Sequence, residues 1–160
     1  MEIWLLRHAA AEDTSDSGRD ADRRLTPEGE KRARAVAAGL ASLEPGIEQV
    51  WTSPYRRARQ TAEPAASALG LTRRLRESRA LEPGRDPQEI LEEIREASVA
   101  GVLLVGHEPH LGALLGRLVA GRPALTLPLK KAGAARVDWD GTGAGELRAY
   151  LPPRVLERLG

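Results

Sequence analysis

Two apolar runs, each closed by a histidine, constrain this chain more than any other feature. Ile3-Trp4-Leu5-Leu6 stops at Arg7-His8, and Val102-Leu103-Leu104-Val105 stops at Gly106-His107. Short, uninterrupted apolar runs predict strands buried on both faces of a parallel sheet. In open α/β sheets ligands bind just beyond the carboxyl ends of the strands, so both imidazoles are expected on one rim. The remaining histidine, His110, follows Pro109 in the next loop and reads as a rim or surface residue.

Helix and strand signals alternate around these runs. Thr26-Pro27-Glu28-Gly29-Glu30 supplies an N-cap, a proline at the first helical position and early acids. Ala33, Val36, Ala37, Leu40 and Leu43 then recur at helical spacing until Pro45-Gly46 stops the pattern. Gln49–Thr52 reads as a strand. Ser53-Pro54 is expected to open a helix reaching Leu69, with Gly70 as its cap and Pro64 as the place to look for a kink or an early break. The Arg-rich stretch 71–85 is weakly patterned, with room for a short edge strand near Leu75. Asp86-Pro87 caps a helix striped by Ile90, Leu91 and Ile94, and a further helix is expected from Leu111 to Val119. Segments 134–139 and 146–151 read as antiparallel strands joined by the Gly-rich turn 140–145. This order predicts an α/β fold, a three-layer α/β/α sandwich with a mostly parallel central sheet and antiparallel C-terminal strands.

Composition narrows what such a sheet can do. A chain of 160 residues fits one domain with a real core. Lys and Arg number 24 against 23 Asp and Glu, so bulk charge gives no reason to expect nucleic acid as a partner and any anion site must be local. There is no cysteine, which excludes disulfides, thiolate zinc sites and cysteine nucleophiles, and fits a reducing compartment. The N-terminal MEIWLL is far too short to span a bilayer or form a signal-peptide core. A cytoplasmic protein with no membrane association is expected.

Cations gather where the strands should end. Arg7 precedes His8, and Arg56, Arg57 and Arg59 crowd the first turns after the second strand. Guanidinium forks match phosphate oxygens, and a helix N-terminus adds free amides. Periodicity alone does not choose among the three arginines, any of which could lie on a solvated face.

The residues L-R-H at 6–8, S-P-Y-R-R-A-R-Q-T at 53–61 and G-H-E-P at 106–109 resemble, in order, the three dispersed motifs of the histidine phosphatase superfamily, the phosphoglycerate mutase-like proteins. The pattern D-x-x-R-x-L-T-x-x-G from Asp20 to Gly29 and V-G-H-E-P-x-L at 105–111 is similar to that of SixA-type phosphohistidine phosphatases. The resemblance covers nearly the whole chain. It implies His8 as nucleophile, Arg7 and Arg57 as phosphate-binding arginines and His107 as the second histidine of the site. It further aligns Arg23 with an arginine that reaches the phosphate. Glu82 falls in the segment where the superfamily's general acid lies, although the surrounding A-L-E-P-G departs from the mutase pattern. Glu108 matches a loop residue with no acid role.

Phosphoryl transfer asks the protein for positioning and charge neutralisation. His8 would take the phosphoryl group and pass it to water, without metal or cofactor. Phosphohistidine on a protein is the expected substrate, and the short chain leaves an open site that would admit it. A small-molecule phosphomonoesterase acting on sugar or nucleoside phosphates, a mutase, and a phosphate-binding module without turnover are the alternatives. A haloacid-dehalogenase-type mechanism is excluded, because Asp20-Ala-Asp22 is not directly after the first strand. The oligomeric state is left open.

Overall fold

Alternation of side chains along the strands decides which helices cover which face. The computed structural model describes residues 1–160. Strand β1 (Glu2–Arg7) points Trp4 and Leu6 into one buried cluster and Ile3 and Leu5 into another, on opposite sides of the sheet. The first cluster receives Val36 and Leu40 of α1 (Pro27–Ser42) and Ala58, Ala62 and Ala65 of α2 (Arg56–Ala68). The second receives Ile90 and Ile94 of α3 (Pro87–Ala97) and Leu111, Leu114 and Leu118 of α4 (His110–Ala120). The result is a helix–sheet–helix sandwich. Leu5 has no exposed surface, so Leu5→Ala would cost about 2–5 kcal/mol.

The remaining strands are β2 (Gln49–Thr52), β3 (Leu75–Glu77), β4 (Gly101–Gly106), β5 (Ala134–Asp138) and β6 (Glu146–Leu151), with a short α5 (Pro153–Leu156) after them. All six strands form one sheet in the order β3-β2-β4-β1-β5-β6. The first four run parallel, whereas β5 and β6 are antiparallel, as the sequence pattern predicts. β1, β2 and β4 therefore end on one edge. No helix is long and apolar enough to cross a membrane.

Local chemistry accounts for most boundaries. Thr26 Oγ1 accepts from Gly29 N–H (3.0 Å) at the start of α1, and Asp86 caps α3 reciprocally with Glu89. Gly29 is a close approach: a Cβ there would lie 2.0 Å from Ala10 O, two residues past His8. Three expectations need correction. Helix α2 begins at Arg56 rather than at Ser53-Pro54: Ser53 Oγ accepts from Tyr55 N–H (3.3 Å) and also bonds His107, but Tyr55 itself stays extended, so helical geometry starts only after it. It then runs through Pro64 without a break, packed on α1 through small alanines. His110 is no surface residue; it opens α4 and is 4% exposed.

Candidate active site

Main-chain ties assemble the site before any side chain contributes. His8 N–H donates to Gly106 O (3.0 Å) and Ser53 N–H to Val105 O (2.9 Å), so the chain leaves β1, β2 and β4 side by side. The rings of His8 and His107 then lie with centroids 5.0 Å apart. Both imidazoles share one rim.

The neighbouring carbonyl sets the state of His8. Its Nδ1 is 2.7 Å from Ala9 O, and a carbonyl can only accept. The proton therefore sits on Nδ1 and the Nε2 lone pair is free. Burial is the largest influence on this ring; the Ala9 bond works against it, and the charges of Arg57, Arg7 and Lys131 add to it. Together they bring the pKa down to about 4, so the ring is neutral at pH 7. His107 shares a hydrogen bond between its Nε2 and Ser53 Oγ (2.9 Å), and the Tyr55 ring stands edge-on at 5.2 Å. Burial, reinforced by the charges of His8 and Arg57, holds His107 well below the ordinary histidine value.

Among the three clustered arginines, burial separates Arg57 from its neighbours: it is 5% exposed, whereas Arg56 and Arg59 face solvent. Its Nη1 donates to Asp20 O (2.7 Å) and its Nη2 to Asp20 Oδ2 (2.9 Å), and its guanidinium lies 5.1 Å from the centre of the Tyr55 ring. The other oxygen of Asp20 accepts from Arg23 Nη1 (2.8 Å), while Arg23 Nε donates to Glu12 O (2.6 Å). One carboxylate thus joins the loop arginine to the helix arginine. Burial works to raise the Asp20 pKa, but the bonds from Arg23 and Arg57 prevail and hold it below the usual carboxylate range. Arg7 donates from Nη1 to Leu129 O (2.8 Å).

Glu82 ends the short turn Arg79–Leu81, its amide closing onto Arg79 O (3.0 Å). That turn abuts the end of β4, since Leu81 O would stand 3.6 Å from a Cβ on Gly106. No hydrogen bond ties the Glu82 carboxylate to either histidine or to the arginines. Sequence reasoning missed four contributors. Ser53 reads in the sequence as a helix opener and the first letter of a motif, and Asp20 as a letter of a pattern and of a misplaced D-x-D, with no contact to the site implied for either. Leu129 and Lys131 lie in a segment with no periodic signal, which returns to the site because Ala132 N–H reaches Arg7 O (3.0 Å) and His8 O (3.3 Å).

The arrangement offers an unprotonated imidazole nitrogen among fixed cations, which suits acceptance of a phosphoryl group. Comparison with known proteins agrees. Residues 3–83 match the model of the histidine phosphatase superfamily (branch 1). The chain is 31% identical to the phosphohistidine phosphatase SixA of Escherichia coli, over 98% of this chain and 97% of that one. It is 37% identical to an uncharacterized protein of a Picosynechococcus species, over 94% and 90% of the two chains. The solved structure of the protein histidine phosphatase SixA complexed with tungstate superposes with a TM-score of 0.85, at 28% identity and over 98% and 99% of the chains. A mycobacterial glucosyl-3-phosphoglycerate phosphatase, at 18% identity and a TM-score of 0.70, shares the fold. With its motifs, its strand order and its full-length relatives in agreement, the chain belongs to branch 1 of the histidine phosphatase superfamily.

Proposed function

We propose that this protein hydrolyses phosphohistidine carried on a partner protein, with His8 as the transient phosphoryl acceptor. The observation that carries the reading is the Nδ1 contact of His8 with Ala9 O, which leaves Nε2 unprotonated beside Arg7, Arg57 and His107. In the first step Nε2 attacks phosphorus, the P–N bond of the substrate breaks, and the substrate imidazole departs with the electron pair. It leaves as a neutral ring when its other nitrogen already bears a proton, so no carboxylic acid has to deliver one. In the second step water attacks phosphorus, the bond to His8 breaks, orthophosphate is released and His8 returns to its neutral form. Arg7 and Arg57 offset the charge of the phosphoryl oxygens, Arg23 reaches them from the loop, and neutral His107 contributes hydrogen bonding rather than charge.

The 160 residues act here as one domain built on a single sheet, and the chemistry asks for no metal or cofactor. The similarity to SixA supports a protein-borne substrate. An ester substrate would instead need an acid to protonate an alkoxide, and Glu82 is the carboxylate at the β4 end available for it. The deciding experiment compares hydrolysis of a phosphohistidine protein with that of a panel of phosphate esters, in chelator, for the wild type and Glu82→Gln. Phosphohistidine turnover in Glu82→Gln within about threefold of wild type supports the reading. Turnover confined to esters and lost in Glu82→Gln contradicts it, and loss of all activity with chelator contradicts the metal-free scheme.

A further inference from the structure

We propose that Glu108 is a positioning residue for Arg7, acting through the backbone of Leu129; the proposal rests on Arg7 binding the phosphoryl group. Arg7 is held loosely for a residue that must present a fork to phosphate. Its Nε is buried without a partner, and the bond its guanidinium makes to the protein runs from Nη1 to Leu129 O (2.8 Å). Leu129 lies in the stretch between α4 and β5, which has no regular structure to fix it. Its side chain is buried in the core, and its peptide is oriented from the other side, where Glu108 Oε1 accepts from Leu129 N–H at 2.8 Å. A single residue therefore receives a carboxylate on its amide and a guanidinium on its carbonyl.

The seat of Glu108 is built for this contact. A Cβ on Gly112 would fall 2.6 Å from Glu108 Oε2, and 3.0 Å from both Pro128 Cα and Thr126 Cγ2. The bare glycine in the first turn of α4 lets the carboxylate and the 126–128 segment close over the same spot. Leu127 N–H adds a tie to Gly112 O (3.0 Å). Glu108 also follows His107 directly, so the residue that steers Arg7 belongs to the same turn as the second histidine. A bond to a charged acceptor is stronger than a neutral one, and in this stretch it replaces the ladder that a strand would supply.

The test measures kcat/KM for phosphohistidine and the inhibition constant of orthophosphate in a double-mutant cycle with Arg7. Glu108→Ala is expected to lower kcat/KM and weaken orthophosphate inhibition by about tenfold each. Glu108→Gln, which keeps the accepting oxygen and cannot act as an acid, is expected to stay within about threefold of wild type. Glu108→Asp keeps the charge but not the reach and is expected to behave like Glu108→Ala. In an Arg7→Ala background, Glu108→Ala is expected to add less than about twofold. A full tenfold further loss in that background overturns the proposal, as does a Glu108→Gln variant as poor as Glu108→Ala. Should Glu108→Ala fail to fold, Glu108→Asp and Glu108→Gln carry the same comparison. Failure of the underlying reading looks different: Arg7→Ala would then itself leave phosphohistidine hydrolysis unchanged.

Discussion

The two halves of the site are held by different means. His8 and His107 stand at strand ends, tied by main-chain bonds such as His8 N–H to Gly106 O. The guanidinium tips of the cations rest on loop contacts, although Arg7 closes β1 and Arg57 lies in α2: Arg23 and Arg57 meet on the carboxylate of Asp20, and Arg7 rests on Leu129 O. A strand end cannot shift without breaking sheet pairing, whereas a loop shifts for the loss of one ion pair. The imidazole proposed to react is thus placed by paired strand ends, and the guanidinium tips are placed by contacts that side chains alone can retune.

Substitutions across this divide should grade accordingly. The largest effect belongs to the strand-end half: His8→Ala is expected to lower turnover by about 10⁴-fold or more and to abolish acid-labile labelling by phosphorylated substrate. An undiminished rate would remove His8 from the chemistry. Arg57→Ala crosses into the other half and should cost about 10²–10³-fold in kcat/KM, seen under steady-state conditions. Asp20→Ala leaves both arginines in place but unlinked, and a loss of about tenfold is expected, shrinking when Arg57 is already alanine. Equal losses in both backgrounds would mean that Asp20 serves something other than Arg57.

The smallest effect tests the reach of loop charge. With the pKa of His8 at about 4, protonation of His8 should bring down kcat/KM only near that value, on an acid limb distinct from the ionisation of the substrate imidazole nearer neutrality. Lys131 is one of the cations that lower this pKa. Removing it favours the imidazolium, so Lys131→Ala should move the acid limb to higher pH by about a few tenths of a unit, with little change at pH 7. A limb moving toward lower pH would contradict the sign.

Legibility in the sequence follows the same division. The apolar runs, the Thr26 and Asp86 caps and the histidines beyond β1 and β4 are written in consecutive residues, and the folded chain has them where local chemistry predicts. Helix α2 starts beyond the Ser53 signal because Tyr55 stays extended, while Ser53 both accepts from Tyr55 N–H and bonds His107 across 54 positions of chain. His110 departs from its local reading for a similar reason, since nothing near it in sequence reveals the packing that covers the first turn of α4. Asp20, Leu129 and Lys131 carry no periodic signature at all. Their partners are set by how loops return to the sheet, and that path is decided by contacts distant in sequence.

Gly29 shows how finely such a path is gauged. Its missing side chain lets the first turn of α1 press on the carbonyl of Ala10, which follows His8 by two residues. A methyl group there has nowhere to go except into the segment bearing His8. A helix position without a side chain of its own therefore works as a mechanical stop for the loop that follows His8, and Gly29→Ala is expected to cost activity as well as stability.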